Sequence, residues 1–224
     1  MLKPSLLEIL LLATLMSTAH AESPSAAQAA DAYRRKAYSA RSISPIFSQL
    51  LAHAQPPGFK PVFEKTNGPH YIRESVLSGE DENNWSQMIT VTGVRDLVSN
   101  PNASPRKFAE AMAAGFKRAC PESFAASVLA EGKMGAYDAF SVLVSCGTSP
   151  TTGGKTSESA LVTVIKGEKD YYTVQWAERA APSTTPMAPN MAKWGERFRA
   201  LSPIKLCRIV PGEAAPYPSC ISGK

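Results

Sequence analysis

Two stretches of alternating residues constrain this chain more than any other feature. Trp85-Ser86-Gln87-Met88-Ile89-Thr90-Val91-Thr92 and Tyr171 to Glu178 repeat with a period of two. That spacing belongs to strands with one covered and one polar face. Further strands are predicted at Phe59 to Lys65 and His70 to Val76, with the turn signal Asn67-Gly68-Pro69 between them. The acidic loop Ser78-Gly79-Glu80-Asp81-Glu82-Asn83-Asn84 precedes the first alternating stretch. Later come Phe124 to Ala130, Ala136 to Cys146 and Ser159 to Lys166, the last turning through Gly167-Glu168-Lys169 into a strand from Asp170. A short strand from Ile204 to Val210 closes the series.

Helical signals interrupt these strands twice. Ser104 stands as an N-cap with Pro105 at the first helical position, and Phe108, Ala109, Met112, Ala113 and Phe116 recur at helical spacing through Ala119. From about Pro189 to Leu201, Met191, Trp194, Phe198 and Leu201 do the same, and Pro203 stops the helix. Strands, helix, strands, helix predicts an α+β class: an antiparallel sheet covered by helices, in a single domain over residues 59–210.

The ends read differently. Met1-Leu2-Lys3-Pro4 gives a basic start, Leu6 to Met16 an apolar run interrupted by Glu8, and Ala19-His20-Ala21 a small-x-small cleavage site. Residues 1–21 are therefore expected to be a secretory signal peptide, with an uncleaved anchor as the alternative because of Glu8. The run is too short to cross a bilayer as a helix, and no later segment is long and apolar enough, so no integral membrane segment is expected after cleavage. Of 224 residues about 203 then remain, enough for one domain with a sizeable core or two small ones. Residues 22–58, rich in Ala and Ser and containing Tyr33-Arg34-Arg35-Lys36, read as an arm that is partly helical or disordered. Residues 211–224 read as a disulfide-closed tail.

An exported chain with four cysteines, Cys120, Cys146, Cys207 and Cys220, is expected to carry two disulfides and to reside in the periplasm or outside the cell. Three pairings are possible. The sequence-local pairs, Cys120 with Cys146 and Cys207 with Cys220, are preferred, each stabilising by roughly 3 to 4 kcal/mol on chain-entropy reasoning. No CxxC occurs, and the mature part holds only His53 and His70, so no metal site is expected.

The string Glu74-Ser75-Val76-Leu77-Ser78-Gly79-Glu80, then Trp85-Ser86-Gln87-Met88-Ile89-Thr90, then Asp170-Tyr171-Tyr172-Thr173-Val174-Gln175 with Trp194 on the closing helix, resembles a group of poorly characterised exported bacterial proteins. Their element order is similar to the PsbP-like fold, named for an extrinsic photosystem II subunit. The resemblance covers about residues 59 to 210. It implies an α/β/α sandwich and a non-enzymatic accessory or protein-binding role outside the cytoplasmic membrane. It brings no catalytic residues, because that fold shares no catalytic motif.

Candidate chemistry is sparse. Ser149-Pro150-Thr151-Thr152-Gly153-Gly154-Lys155-Thr156 mimics a phosphate loop, but Ser149 stands where the first glycine belongs and a strand pattern follows. It reads as a hairpin loop. No Gly-x-Ser-x-Gly elbow is present, and His53 and His70 lie in the polar arm and after a turn. Glu80, Asp81 and Glu82 are adjacent but lack the spacing of a calcium loop, so they read as a solvated loop. No catalytic residue, metal ligand or cofactor is expected.

Charge is uneven. Residues 22–60 carry five Lys/Arg against two acids and residues 187–224 six against two, while residues 61–186 carry 12 against 14. Basic ends suit an anionic partner, but nucleic acid is excluded from the expectations by the export signal and by basic stretches without interleaved aromatics. Tyr71, Trp85, Tyr171 and Trp176 are the candidate binding surface. The function expected is a non-enzymatic module that binds a protein partner in the bacterial envelope, with a component of a secretion or competition system as a special case. A periplasmic small-ligand or lipid-binding protein is the alternative, and a hydrolase a remote third.

Overall fold

The two alternating stretches become neighbours at the centre of one large sheet. In this computed structural model, which describes residues 41–222, the strands are β1 (Arg41–Ile46), β2 (Gln49–Ala54), β3 (Phe59–Asn67), β4 (His70–Leu77), β5 (Gln87–Val94), β6 (Phe124–Met134), β7 (Tyr137–Cys146), β8 (Ser157–Lys166), β9 (Tyr171–Ala180) and β10 (Lys205–Arg208). The helices are α1 (Pro105–Ala119), α2 (Met191–Leu201) and the short α3 (Pro218–Ser222). The expected signal peptide, residues 1–21, and residues 22–40 of the expected arm lie outside the described residues.

The large sheet runs β3-β4-β5-β9-β8-β7-β6, and every neighbouring pair is antiparallel. Two meanders, β3 to β5 and β6 to β9, meet along a seam that pairs Gln87 with Glu178 and continues to Val94 with Tyr171. Between them the chain crosses one face of the sheet through α1. The Ser104 hydroxyl accepts from the Lys107 amide at 3.1 Å, Pro105 occupies the first turn, and Lys117 and Arg118 sit at the negative end of the helix dipole. Asn190 caps α2 in the same way, accepting from the Lys193 amide at 3.0 Å.

The expected sandwich, a sheet covered by helices in α/β/α layers, is corrected. The fold is dominated by antiparallel sheet, with ten strands against three α-helices among the described residues. On one face the large sheet is sealed by a second, three-stranded sheet, β1-β2-β10, together with α2. On the other, α1 packs against β6, β7 and β8. The reason lies in residues 41–54, which the composition assigns to a frayed arm. Ile46, Leu50, Leu51, Ala52 and Ala54 are all buried there, so the stretch forms a hairpin that takes the place of a helical layer. Pro45 lies on the edge strand β1, where its missing amide breaks no interior ladder. Gly93 on β5 lets the hairpin approach: a Cβ there would fall 2.4 Å from Ile46 Cγ2.

One buried carboxylate pins this hairpin to the sheet. Asp170 accepts from the Ser48 amide (3.0 Å), the Ser48 hydroxyl (2.5 Å), the Asp96 amide (2.7 Å) and the Tyr172 hydroxyl (3.1 Å). Burial alone would raise its pKa, but these hydrogen bonds outweigh it and hold the carboxyl below the usual carboxylate range.

The cysteines pair as Cys120–Cys146 and Cys207–Cys220, with Cα separations of 5.7 and 5.5 Å. The first ties the end of α1 to the end of β7. The second closes the C-terminal loop against β10. Among the described residues no helix is long and apolar enough to cross a membrane.

Candidate functional site

Paired residues of an antiparallel sheet share a face, so register shows how the α1 side is built. One cross-strand row runs Phe63, Glu74, Thr90, Gln175, Val162, Val142 and Val128. Val162 and Val142 are buried in a cluster against Phe108, Met112 and Phe116 of α1. Glu74, Thr90 and Gln175 are only half-buried, whereas on the reverse of the same strands Tyr71, Ile89, Val91 and Trp176 are buried. The helix therefore covers the β7–β8 side of the face and leaves open the part of β4, β5 and β9 around Glu74, Thr90 and Gln175, while Val76, Met88 and Ala177 in the adjoining row stay buried.

That open half is the floor of a cavity of about 500 Å³, walled by Trp85, Phe116 and Arg179. Arg179 organises it. Its guanidinium lies 3.7 Å from the centre of the Trp85 ring, and Nε stands 3.5 Å from Glu158 Oε2. The two terminal nitrogens donate to the Asn83 carbonyl (3.5 Å) and the Thr151 hydroxyl (3.4 Å). One side chain from β9 thus holds both rim loops, 78–86 and 149–156. On the floor the hydroxyls of Thr92 and Thr173 hydrogen-bond across the seam at 2.7 Å.

The acidic loop divides its carboxylates. Glu80 accepts from the Ser86 amide (3.0 Å) and hydroxyl (2.6 Å), and Asp81 Oδ1 accepts from the amides of Asn83 and Asn84. Glu82 is left to face the cavity with Glu74. Burial, and then the charge of Glu82, pushes the Glu74 carboxyl above its usual range. Among the described residues neither has a cation within 4.0 Å. Among those residues there is also no group of three or more His, Cys, Asp or Glu that could hold a metal ion.

Of the four aromatic residues selected from sequence, Trp85 alone lines the cavity. Tyr71 and Trp176 face the opposite core, where the Tyr71 hydroxyl donates to Glu64 (2.8 Å) and the Trp176 indole N–H donates to Gln87 (3.1 Å). Tyr171 lies under α1, stacked on Phe108 at 5.9 Å. His53 is buried on β2, its Nδ1–H donating to the Ala54 carbonyl at 2.8 Å, and His70 is exposed at the start of β4. The 149–156 segment leads into β8, not into a helix. Arg179, Glu74, Thr90 and Gln175 were not selected from sequence. For Thr90 and Gln175 a signal lies in the polar phase of the alternating strands; Arg179 and Glu74 fall outside both stretches.

No protein-family model matches the chain, the PsbP-like family included, and no curated protein matches it. Solved structures do. The Ran-binding protein Mog1p of Saccharomyces cerevisiae is 13% identical with a TM-score of 0.37, over 73% of this chain and 85% of that one. A point mutant of the protein Mog1 is 13% identical with a TM-score of 0.38, over 70% of this chain and 84% of that one. A protein from Bacteroides thetaiotaomicron is 14% identical with a TM-score of 0.38, and the match spans 77% of this chain but 49% of that chain. At these values the likeness carries no functional assignment.

Proposed function

We propose that this chain is an exported, disulfide-stabilised binding module of the bacterial envelope, that it is not an enzyme, and that it engages a protein partner through the open half of its large sheet. The observation that carries this reading is the contrast within one sheet face: polar, half-buried residues are held in order beside apolar ones sealed by α1. A sheet face kept uncovered on a well-packed support offers side chains that need no reorganisation on binding. Two disulfides suit an oxidising compartment. The small-sheet layer and α2 make the reverse face core, so recognition falls to the open side.

Capture from an envelope fraction tests the proposal. Wild-type protein is expected to recover one stoichiometric protein partner, and Thr90→Arg, which places a long cation in the middle of the floor, is expected to lose it. Recovery of the protein alone at every salt concentration, or equal recovery by Thr90→Arg, overturns it.

The 500 Å³ cavity beside Trp85 favours a second reading, a small-ligand binder. A thermal-shift screen separates the two, because a pocket binder gains stability from a small molecule.

A further inference from the structure

From the charge of the open face we infer the chemistry of its occupant: a partner segment that presents a Lys or Arg side chain between Glu74 and Glu82. This inference rests on the protein-binding reading above and deepens it.

The face is open, ordered and acidic at its centre. Glu74 projects from β4 and Glu82 comes from the rim loop, and both line the cavity. Of the carboxylates lining the cavity, Glu158 is neutralised by Arg179; elsewhere Glu178 is paired with Lys193 and Arg197, Glu131 with Arg106, Asp138 with Lys133 and Glu168 with Arg208. Glu74 and Glu82 keep no such partner among the described residues, although the whole chain carries a formal charge of +5. The nearby cation Arg179 is already shared among Glu158, Asn83, Thr151 and the Trp85 ring. By register Lys65 lies opposite Ile72, and Lys60 opposite Val76, on the edge strand β3; both are exposed, and neither forms an ion pair with Glu74 or Glu82.

Two carboxylates whose charges repel across an open cavity are stabilised when a cation enters between them. The surroundings fit the rest of a long basic side chain. Ile72 and Met88 on the floor offer apolar contact to its methylene stem, and Phe63, 38% exposed and paired with Glu74, extends that contact toward the edge of the sheet. Thr90 and Gln175 add hydroxyl and amide groups for the backbone of the bound segment. An acidic partner segment meets the opposite situation, with like charge and no free cation on the floor.

The test uses the full exported chain and four acetylated, amidated tripeptides, Ala-X-Ala, with X as Lys, Arg, norleucine or Glu, followed by amide chemical-shift mapping. The Lys and Arg peptides are expected to shift the amides of Glu74, Thr90 and Gln175. Norleucine and Glu peptides are expected to leave them in place. The double substitution Glu74→Gln/Glu82→Gln, checked for an unchanged melting temperature, is expected to weaken binding about tenfold, equivalent to about 1.4 kcal/mol. Equal binding of the norleucine peptide, or binding indifferent to the double substitution, overturns the inference. So does self-association that Thr90→Arg dissolves, which would assign the face to a second copy. Peptide binding that appears only after Arg34, Arg35 and Lys36 are all changed to Gln would assign the face to the chain's own basic stretch, and it too overturns the inference. If Thr90→Arg loses an envelope partner while Glu74→Gln/Glu82→Gln retains it, the binding reading stands and the charge inference falls.

Discussion

Along a single cross-strand row, Val162 and Val142 lie beneath α1 while Gln175, Thr90 and Glu74 lie in the open. The backbone is the same continuous antiparallel sheet on both sides of the boundary. What changes is the number of covers. The β7–β8 half is packed on both faces, by α1 on one side and by α2 and the small sheet on the other. The β4–β5 half is packed chiefly from behind, where Tyr71, Ile89 and Val91 meet the β1–β2 hairpin through Ile46, and on the front Val76 and Met88 are buried while Glu74 and Thr90 are not. A sheet can present a polar face to solvent when its reverse face is fully buried. The open half thus exists by virtue of the hairpin behind it.

The largest expected effect comes from unpinning that hairpin. Asp170→Ala leaves the amides of Ser48 and Asp96 and two hydroxyls without their acceptor, at an expected cost of about 4 kcal/mol in urea unfolding. A loss under about 1 kcal/mol would show that the open half stands without its support.

A second test uses pH. Burial, opposed in part by the hydrogen bond to the Ala54 carbonyl and reinforced by Arg73, lowers the His53 pKa to about 4. The folded state therefore binds fewer protons than the unfolded chain between that value and the ordinary histidine value of 6.5. Stability from this group is full above the unfolded pKa and is lost as pH falls toward about 4, by about 3 kcal/mol in all. His53→Gln is expected to flatten this slope in urea midpoints measured between about pH 7 and pH 4.5; an unchanged slope would place the acid sensitivity elsewhere.

The remaining two predictions compare the halves directly. Val162→Ala, under α1, is expected to cost about 2 kcal/mol through lost burial and the cavity left behind. Thr90→Val, two strands away in the same row, is expected to change stability by no more than about 0.5 kcal/mol while removing a polar group from the floor. Similar costs for the two substitutions would mean that the open half is packed as tightly as the covered one.

Much of this division was legible in the order of residues alone. Strand positions from Phe59 to Glu178 follow from period-two alternation and the turn residues at Asn67-Gly68 and Gly167. Ser104-Pro105 marks the start of α1, and sequence proximity favoured the observed cysteine pairs. The hairpin was not legible. Its apolar residues follow an Ala- and Ser-rich stretch and are interrupted by Pro45, Gln49 and His53, which lower the strand signal; burial against the large sheet overrides that local composition. The site was half legible. Alternation marks Thr90 and Gln175 as polar-facing, but nothing local distinguishes a polar residue facing solvent from one lining a shared cavity. That distinction needs the seam, which brings Arg179 beside Trp85. The choice of Tyr71, Tyr171 and Trp176 followed aromatic content, and large aromatics at strand spacing here fill the two cores.

The seam between β5 and β9 has a consequence for the timing of folding. Each meander pairs strands joined by turns or short loops, but the seam pairs residues from 77 positions apart, Val94 with Tyr171, to 91 apart, Gln87 with Glu178, and closes over α1 and β6 to β8. Local hairpins form early and such distant pairings late. Glu74, Glu82 and Thr90 belong to the first meander, Gln175 and Arg179 to the second. In this order of events the open face closes only after both meanders have formed, and a partner that recognises it would discriminate against chains whose seam is still unpaired.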